Sequence, residues 1–324
     1  MTSFFHSPWT LGSLNLTHRL IQGPLAGFSC APFRELFYQF TPPAYSVSEM
    51  ISAHDVVHKH PLHSRYLHRG EKEKTLCYQI AGTDPLIMAQ AAARLEEIGA
   101  DLIDVNCGCP KGKIRKKGAG SALLEEPEQL AEIVSSIRKA IKIPLTVKLR
   151  ILGNPLDFEL AKRVADAGAD AVIIHGRRWN DDYDKANNLI QIAKIKQHLN
   201  IPVIANGDFC DRFSINEALK QTHCDAFMIA RAGTGKPWLY QALLNDEPMQ
   251  VNTAEQLRLF MQHLQGLALL ENEHKALLQS KSLVRYYFKS QLSASHLQGF
   301  YQLDQFAQIE QWLKDLLTNL SEEA

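Results

Sequence analysis

Short strand-like runs, most of them apolar and bounded by Gly or Pro, recur eight times between residues 19 and 232, alternating with helix-like stretches. The runs are RLIQG (19–23), YSVSE (45–49), LCYQIAG (76–82), LIDVNCG (102–108), PLTVKLR (144–150), AVIIHGR (171–177), PVIANGD (202–208) and AFMIARA (226–232). Near-continuous apolar character marks strands buried on both faces, as in a parallel sheet. In DPLIMAQAAARLEEIGA, Asp84 serves as N-cap, Pro85 opens the first turn and Gly99 stops the helix. EPEQLAEIVSSIRKAIK, DFELAKRVADAGA, NLIQIAKIKQHLN and DRFSINEALKQT follow the same plan. This alternation predicts an α/β chain folded as a (β/α)8 TIM barrel. A doubly wound open sheet competes with it, but GPLAG stands after the first strand where that fold carries GxGxxG. WTLGSLNLTHRL reads as a short hairpin capping the barrel bottom, while 31–40 and 50–75 show no clear period.

After Asp246 the Gly- and Pro-punctuated strands stop. TAEQLRLFMQHLQGLALLENEH, KALLQSKSLVRYYFKSQLS and LDQFAQIEQWLKDLLTNL have the period of amphipathic helices. The expected division is a barrel over 1–247 and a small all-helical domain over 248–324.

Lys plus Arg and Asp plus Glu number 35 each, so any polyanion-binding surface must be a local patch. The six cysteines, at 30, 77, 107, 109, 210 and 224, make no CxxC pair. They read as reduced thiols, with no metal site expected. The first residues lack the order of a signal peptide, and no apolar run reaches the roughly 18 residues of a membrane span. A cytoplasmic location and no membrane association are therefore expected.

In a barrel of this kind the active site lies at the C-terminal strand ends. Those ends carry Glu49, Gln79, Asn106 with Cys109, Lys148 with Arg150, His175 with Arg177, Asn206 with Asp208, and Arg231. One such residue means little; their convergence argues for a site. ANGD and ARAGTGKPW close the last two strands, where barrel loops often bind phosphate through backbone N–H groups. Gly207, Gly233 and Gly235 permit a close approach there, or are ordinary turn glycines. Lys148 at the end of an apolar strand is either a rim lysine or faces an anion.

GPLAGFSCAPFR, VSEM, YQIAGTDP, DVNCGCPKGK, AGSALL, VKLR, IHGR, IPVIANGD and MIARAGTGKPW resemble, in order and spacing, the bacterial tRNA-dihydrouridine synthases over about residues 18–240. The helical tail resembles that family's tRNA-binding domain. The resemblance implies an FMN-bound barrel that reduces the C5–C6 double bond of particular tRNA uridines with NADPH as electron source. It implies hydride transfer from flavin N5 to C6 and a proton from Cys109 to C5. Flavin contacts are implied at Pro24, Leu25, Ala26, Gln79, Lys148, Asn206, Gly207, Asp208, Ala230 and Arg231. His175 is implied over the flavin and substrate pocket, and Asn106 and Arg177 beside the substrate. The chain departs from the family pattern at Leu25, Cys107, Ala230 and Arg178. Cys107 reads as a packing residue.

A free thiol is mostly protonated at neutral pH, which suits a proton donor. Lys111, Lys113, Arg115, Lys116 and Lys117 follow it and are expected to grip phosphates flanking the target nucleotide. An enzyme that acts on a stacked base must take it out of the stack, and that needs a wide grip on the RNA. Lys281, Arg285 and Lys289, spaced four apart, offer one basic helix face for tRNA. Tyr286 and Tyr287 beside them read as core residues rather than stacking platforms. The His-rich segment 54–69 reads as a second basic patch. No obligate protein partner is evident. The alternatives are an FMN barrel dehydrogenase of a small pyrimidine and a tRNA-binding protein without catalysis.

Overall fold

Eight parallel strands close on themselves in the computed structural model, which describes residues 4–288 and 291–322. We number the barrel strands β1 (Leu20–Gln22), β2 (Ser46–Val47), β3 (Leu76–Ala81), β4 (Leu102–Cys107), β5 (Leu145–Arg150), β6 (Ala171–His175), β7 (Val203–Asn206) and β8 (Ala226–Ile229). Neighbours pair in sequence order and β8 returns to β1, with Phe227 opposite Leu20, so the barrel is closed. A short strand, Ile51–Ser52, lies against the end of β3.

Side-chain parity explains the double burial. Leu20, Ile103, Val105 and Cys107 point outward into the layer beneath the helices. Ile21, Cys77, Leu102, Ile173 and Met228 point inward at the bottom of the barrel. Higher on the inward face come Gln79, Asp104, Thr146 and His175, all buried. The hairpin of Trp9–Leu11 and Leu14–Leu16 seals the bottom by packing Trp9, Leu11 and Leu16 onto that inner apolar layer, as expected. Cys107 is accordingly a buried packing residue on the outer face.

The barrel helices are α1 (Ala31–Leu36), α2 (Ala53–His58), α3 (Pro85–Glu97), α4 (Pro127–Ala140), α5 (Leu156–Asp166), α6 (Leu189–Gln197), α7 (Arg212–Thr222) and α8 (Leu239–Asn245). Asp84 caps α3 by accepting from the N–H groups of Leu86 and Ile87. The unclear segments 31–40 and 50–75 contain α1 and α2 and are held by a buried ion pair. Arg34 Nε meets Glu73 Oε1 at 2.5 Å and its second arm meets Oε2 at 2.9 Å.

The tail is helical, with one helix more than expected: α9 (Thr253–Leu270), α10 (Glu273–Tyr287), α11 (Ala294–Gln302) and α12 (Phe306–Glu322). Its core of Leu259, Phe260, Leu264, Leu283 and Phe300 is continuous with Cys30, Leu36 and Trp238 of the barrel. No helix among the described residues is long and apolar enough to cross a membrane.

Where tail meets barrel, His263 of α9 lies fully buried near Phe33, with Nδ1 3.2 Å from the Tyr287 hydroxyl. Burial, with Arg65 nearby, pulls its pKa down to about 3. The unfolded imidazole titrates near 6.5. Below that pH the unfolded chain takes up a proton that the folded chain refuses. Stability is therefore complete above about pH 6.5 and falls as pH drops toward 3, by at most about 1.4 kcal/mol per pH unit from this group. Urea midpoints at pH 7 and pH 5 should show the loss, and H263Q should flatten it; an unchanged slope in H263Q would contradict the assignment.

Candidate active site

The barrel mouth opens into a cavity of about 2270 Å³. Sites for one small molecule hold roughly 300–1,000 Å³, so this space exceeds what a single ligand fills. One wall is made by the C-terminal strand ends and their loops. The other is made by the tail, through Lys281, Arg285, Tyr286, Gln291 and Tyr301. Arg65 fastens the two walls: it meets Glu49 Oε2 at 2.6 Å on the barrel side, and Glu271 Oε2 at 2.6 Å and Gln279 Oε1 at 3.0 Å on the tail. The same Glu49 carboxylate accepts the N–H of Gly27, fixing the loop that carries Pro24, Leu25 and Ala26 into the cavity.

Cys109 lies half-buried at the cavity wall, in the turn after β4. Asn106 Oδ1 accepts the N–H of Cys109 at 3.0 Å and of Gly108 at 3.3 Å. From behind, Arg150 Nε donates to the Gly108 carbonyl at 2.8 Å. The Cys109 carbonyl accepts from Ser121 N–H at 3.1 Å. Gly120 closes the loop at φ +63°, and a Cβ there would stand 2.9 Å from the Cys109 carbonyl oxygen and 3.1 Å from its Cβ. The turn is thus held from four sides, and Cys109 lines the cavity.

Lys148 and His175 line the same wall. Burial pulls the Lys148 ammonium down to about 8, opposed by the Asp104 carboxylate. Burial pushes Asp104 up to about 6, opposed by hydrogen bonds from Thr146 and Gln79 and by Lys148. Burial disfavours each charge, and each charge favours the other. His175 is held far below its ordinary range by burial and then by Lys148, Arg150, Arg177 and Arg231, so its imidazole is neutral. A neutral ring offers one N–H donor and one acceptor to whatever occupies the cavity.

At the β7 and β8 ends, Asn206, Gly207, Asp208, Ala230 and Arg231 face the cavity. Asp208 takes up φ +57° and accepts from Arg231 at 2.8 Å and from both arms of Arg177. Arg231 also lies 4.5 Å above the Tyr183 ring.

Several expected contacts have other partners. Arg177 does not line the cavity; it is buried, clamping Asp208 and the carbonyls of Tyr183 and Lys185. Lys281 borders the cavity, but its ammonium caps α11 through the carbonyls of Phe300 at 2.7 Å and Leu303 at 2.6 Å. Arg115 pairs with Glu125 at 2.8 Å and stacks on Trp179, leaving Lys111 and Lys113 to reach the cavity. The close approaches at Gly207, Gly233 and Gly235 are to Asn187, Gln22 and the Tyr286 backbone. In segment 54–69, Arg65 and Arg69 are spent on internal partners, and Tyr66 is the residue that borders the cavity. Tyr287 is buried as expected, but Tyr286 is partly exposed and lines the cavity. Arg285 lines it too, resting against the Tyr301 hydroxyl. Lys289 lies outside the described residues. Asp104 and Tyr183 are part of the site without having been singled out in the sequence.

The sequence model of the dihydrouridine synthase family, Dus, matches residues 21–322. The chain belongs to that family. Similar Dus relatives include tRNA-dihydrouridine synthase B of Shewanella oneidensis, 32% identical over 322 residues, covering 95% of this chain and 99% of that protein. The enzyme of the same name from Pseudomonas aeruginosa is 38% identical over 238 residues, covering 72% and 71%. Probable tRNA-dihydrouridine synthase 1 of Synechocystis sp. is 34% identical over 321 residues, covering 96% and 88%. More remote structures share the barrel fold with this Dus chain. Morphinone reductase superposes with a TM-score of 0.56 at 13% identity, over 79% of this chain and 94% of its own. Histamine dehydrogenase from Rhizobium sp. 4-9 gives 0.59 at 14%, over 81% of this chain and 51% of its own.

Proposed function

We propose that this chain is a tRNA-dihydrouridine synthase that reduces the C5–C6 double bond of uridines in tRNA, with FMN in the barrel mouth and NADPH as electron source. The observation that carries the reading is the single cavity walled on one side by Cys109, Lys148 and His175 and on the other by Arg285, Tyr286 and Tyr301. A small pyrimidine needs only the first wall. A polynucleotide whose base is drawn out of its stack needs both.

The donor set suits FMN. Lys148 faces the cavity, where burial disfavours its charge and the Asp104 carboxylate deeper in the barrel favours it. An anionic flavin edge would add a second counter-charge from the cavity side. Pro24, Leu25, Ala26 and Gln79 would border the ring, and Asn206, Gly207, Asp208, Ala230 and Arg231 the phosphate end. FMN held there would supply hydride chemistry at uracil C6 once reduced by NADPH. The Cys109 thiol holds the proton for C5, in a turn that Asn106, Arg150 and Ser121 keep fixed. Neutral His175 gives a hydrogen bond without adding charge. Lys111 and Lys113 are assigned to RNA phosphates, and Arg285 and Tyr286 to the tRNA on the tail wall. Residues 1–247 make the catalytic barrel and 248–324 the tRNA-holding domain of a cytoplasmic enzyme.

Stacking on an aromatic side chain is worth roughly 1–3 kcal/mol per base, so Tyr286→Ala should weaken tRNA binding by about 1 kcal/mol, some five-fold. Filter binding checks this, and an unchanged Kd would remove Tyr286 from the RNA wall. The reading itself is tested by incubating the protein with FMN, NADPH and unmodified tRNA. Digested nucleosides should include uridine heavier by about two mass units; an unaltered nucleoside profile would refute it.

A further inference from the structure

Asp104 lies mid-strand in β4, fully buried inside the barrel and two residues before Asn106. A carboxylate in that position is costly unless its oxygens are satisfied. Thr146 Oγ1 donates to it at 2.7 Å and Gln79 Nε2 at 2.7 Å. Gln79 Oε1 accepts from Asn106 Nδ2 at 2.7 Å. Asn106 Oδ1 then accepts the N–H groups of Cys109 and Gly108.

The direction of this chain of bonds is dictated from both ends. A main-chain N–H only donates, so Asn106 must turn its oxygen toward Cys109 and its amino group toward Gln79. Asp104 accepts at both oxygens, Oδ1 from Thr146 and Oδ2 from Gln79, so Gln79 turns its amino group toward Asp104 and its oxygen toward Asn106. The two demands agree. Reversing either amide would set donor against donor or oxygen against oxygen in a buried place, where unmade bonds are most costly.

We propose that Asp104 is a positioning residue that, through Gln79 and Asn106, fixes the turn aiming the Cys109 sulfur. This rests on the reading of Cys109 as the proton donor. The carboxylate touches neither substrate nor sulfur; it acts by choosing which way two amides face.

The test uses the flavin-loaded protein and two variants. In D104N the new side chain still offers an oxygen to Gln79. Its amino group faces Thr146 Oγ1, whose hydroxyl has the Ile103 carbonyl 3.5 Å away as another acceptor. In D104L no acceptor remains. Two quantities are read: the rate at which iodoacetamide alkylates Cys109, resolved by peptide mass, and kcat with KM for tRNA. D104N should keep Cys109 alkylation within about two-fold of wild type, while D104L should change alkylation at least about five-fold and lower kcat at least about ten-fold, with KM within about three-fold. Wild-type alkylation and kcat in D104L would overturn the proposal, as would an equal change of alkylation in D104N, which would mean that charge rather than bond direction matters. If D104L does not fold, amide exchange at Cys109 in the wild type decides. Protection supports the relay, and exchange at the rate of an open amide overturns it. Should the wild type form no dihydrouridine while the alkylation pattern holds, the functional reading fails and the relay stands.

Discussion

Replacing Cys109 with alanine should slow uridine reduction by roughly 10²- to 10⁴-fold, the usual contribution of one placed proton donor. Flavin content and tRNA affinity should stay near wild type, because among the described residues the thiol makes no hydrogen bond. The structure gives the sulfur one place to act. Its backbone is tied by Asn106 and Ser121, and its loop is closed by a glycine with no room for a Cβ. A serine substitution should rescue little, since an alcohol is a far weaker acid than a thiol. Single-turnover oxidation of the reduced enzyme by tRNA measures the step directly; an alanine variant at full speed would remove Cys109 from the chemistry.

Glu73→Ala should cost about 3–5 kcal/mol of stability, the usual penalty for stranding one partner of a buried ion pair. Both side chains are almost wholly excluded from water, at 1% and 0% exposure. Arg34 would keep its bonds to the carbonyls of Ser29 at 2.6 Å and His68 at 3.0 Å, but its charge would lose its only close counter-ion among the described residues. Gly70 N–H would lose its acceptor as well. The urea midpoint should fall sharply, and Arg34→Met combined with Glu73→Leu should recover part of the loss, because a matched apolar pair strands no charge. A midpoint unchanged in Glu73→Ala would contradict the role given to this pair. The break would also loosen the loop before α1, which borders the cavity through Leu25 and Ala26.

The barrel was legible because its strands are buried on both faces, so apolar runs and Gly or Pro boundaries recur at most strands. It was least legible at β2, only two residues long, and at α11, a nine-residue helix whose apolar face is only Leu297, Phe300 and Tyr301, interrupted by Gly299. The strand ends led to most of the cavity wall, since a polar side chain closing an apolar run is costly unless it meets a partner or a ligand there. They missed Asp104 because it lies inside a strand, where sequence does not tell a buried carboxylate from a solvated one. Cations were misread for a related reason. Arg177 was expected beside the substrate, and Arg115 and Lys281 on RNA, yet each is consumed by a carboxylate or carbonyl brought near only by the fold. Tyr286 and Tyr287 are adjacent on α10 and so point to different surroundings; the pair could not be assigned as a unit.

The central claim is that reduction and RNA grip share one cavity. The most direct test mixes anaerobically reduced enzyme with unmodified tRNA or with free uridine and follows the return of the oxidised flavin spectrum. The account predicts rapid reoxidation by tRNA and reoxidation by uridine slower by at least about 10²-fold, since binding energy from remote parts of the substrate is lost. Equal rates with the two would contradict it.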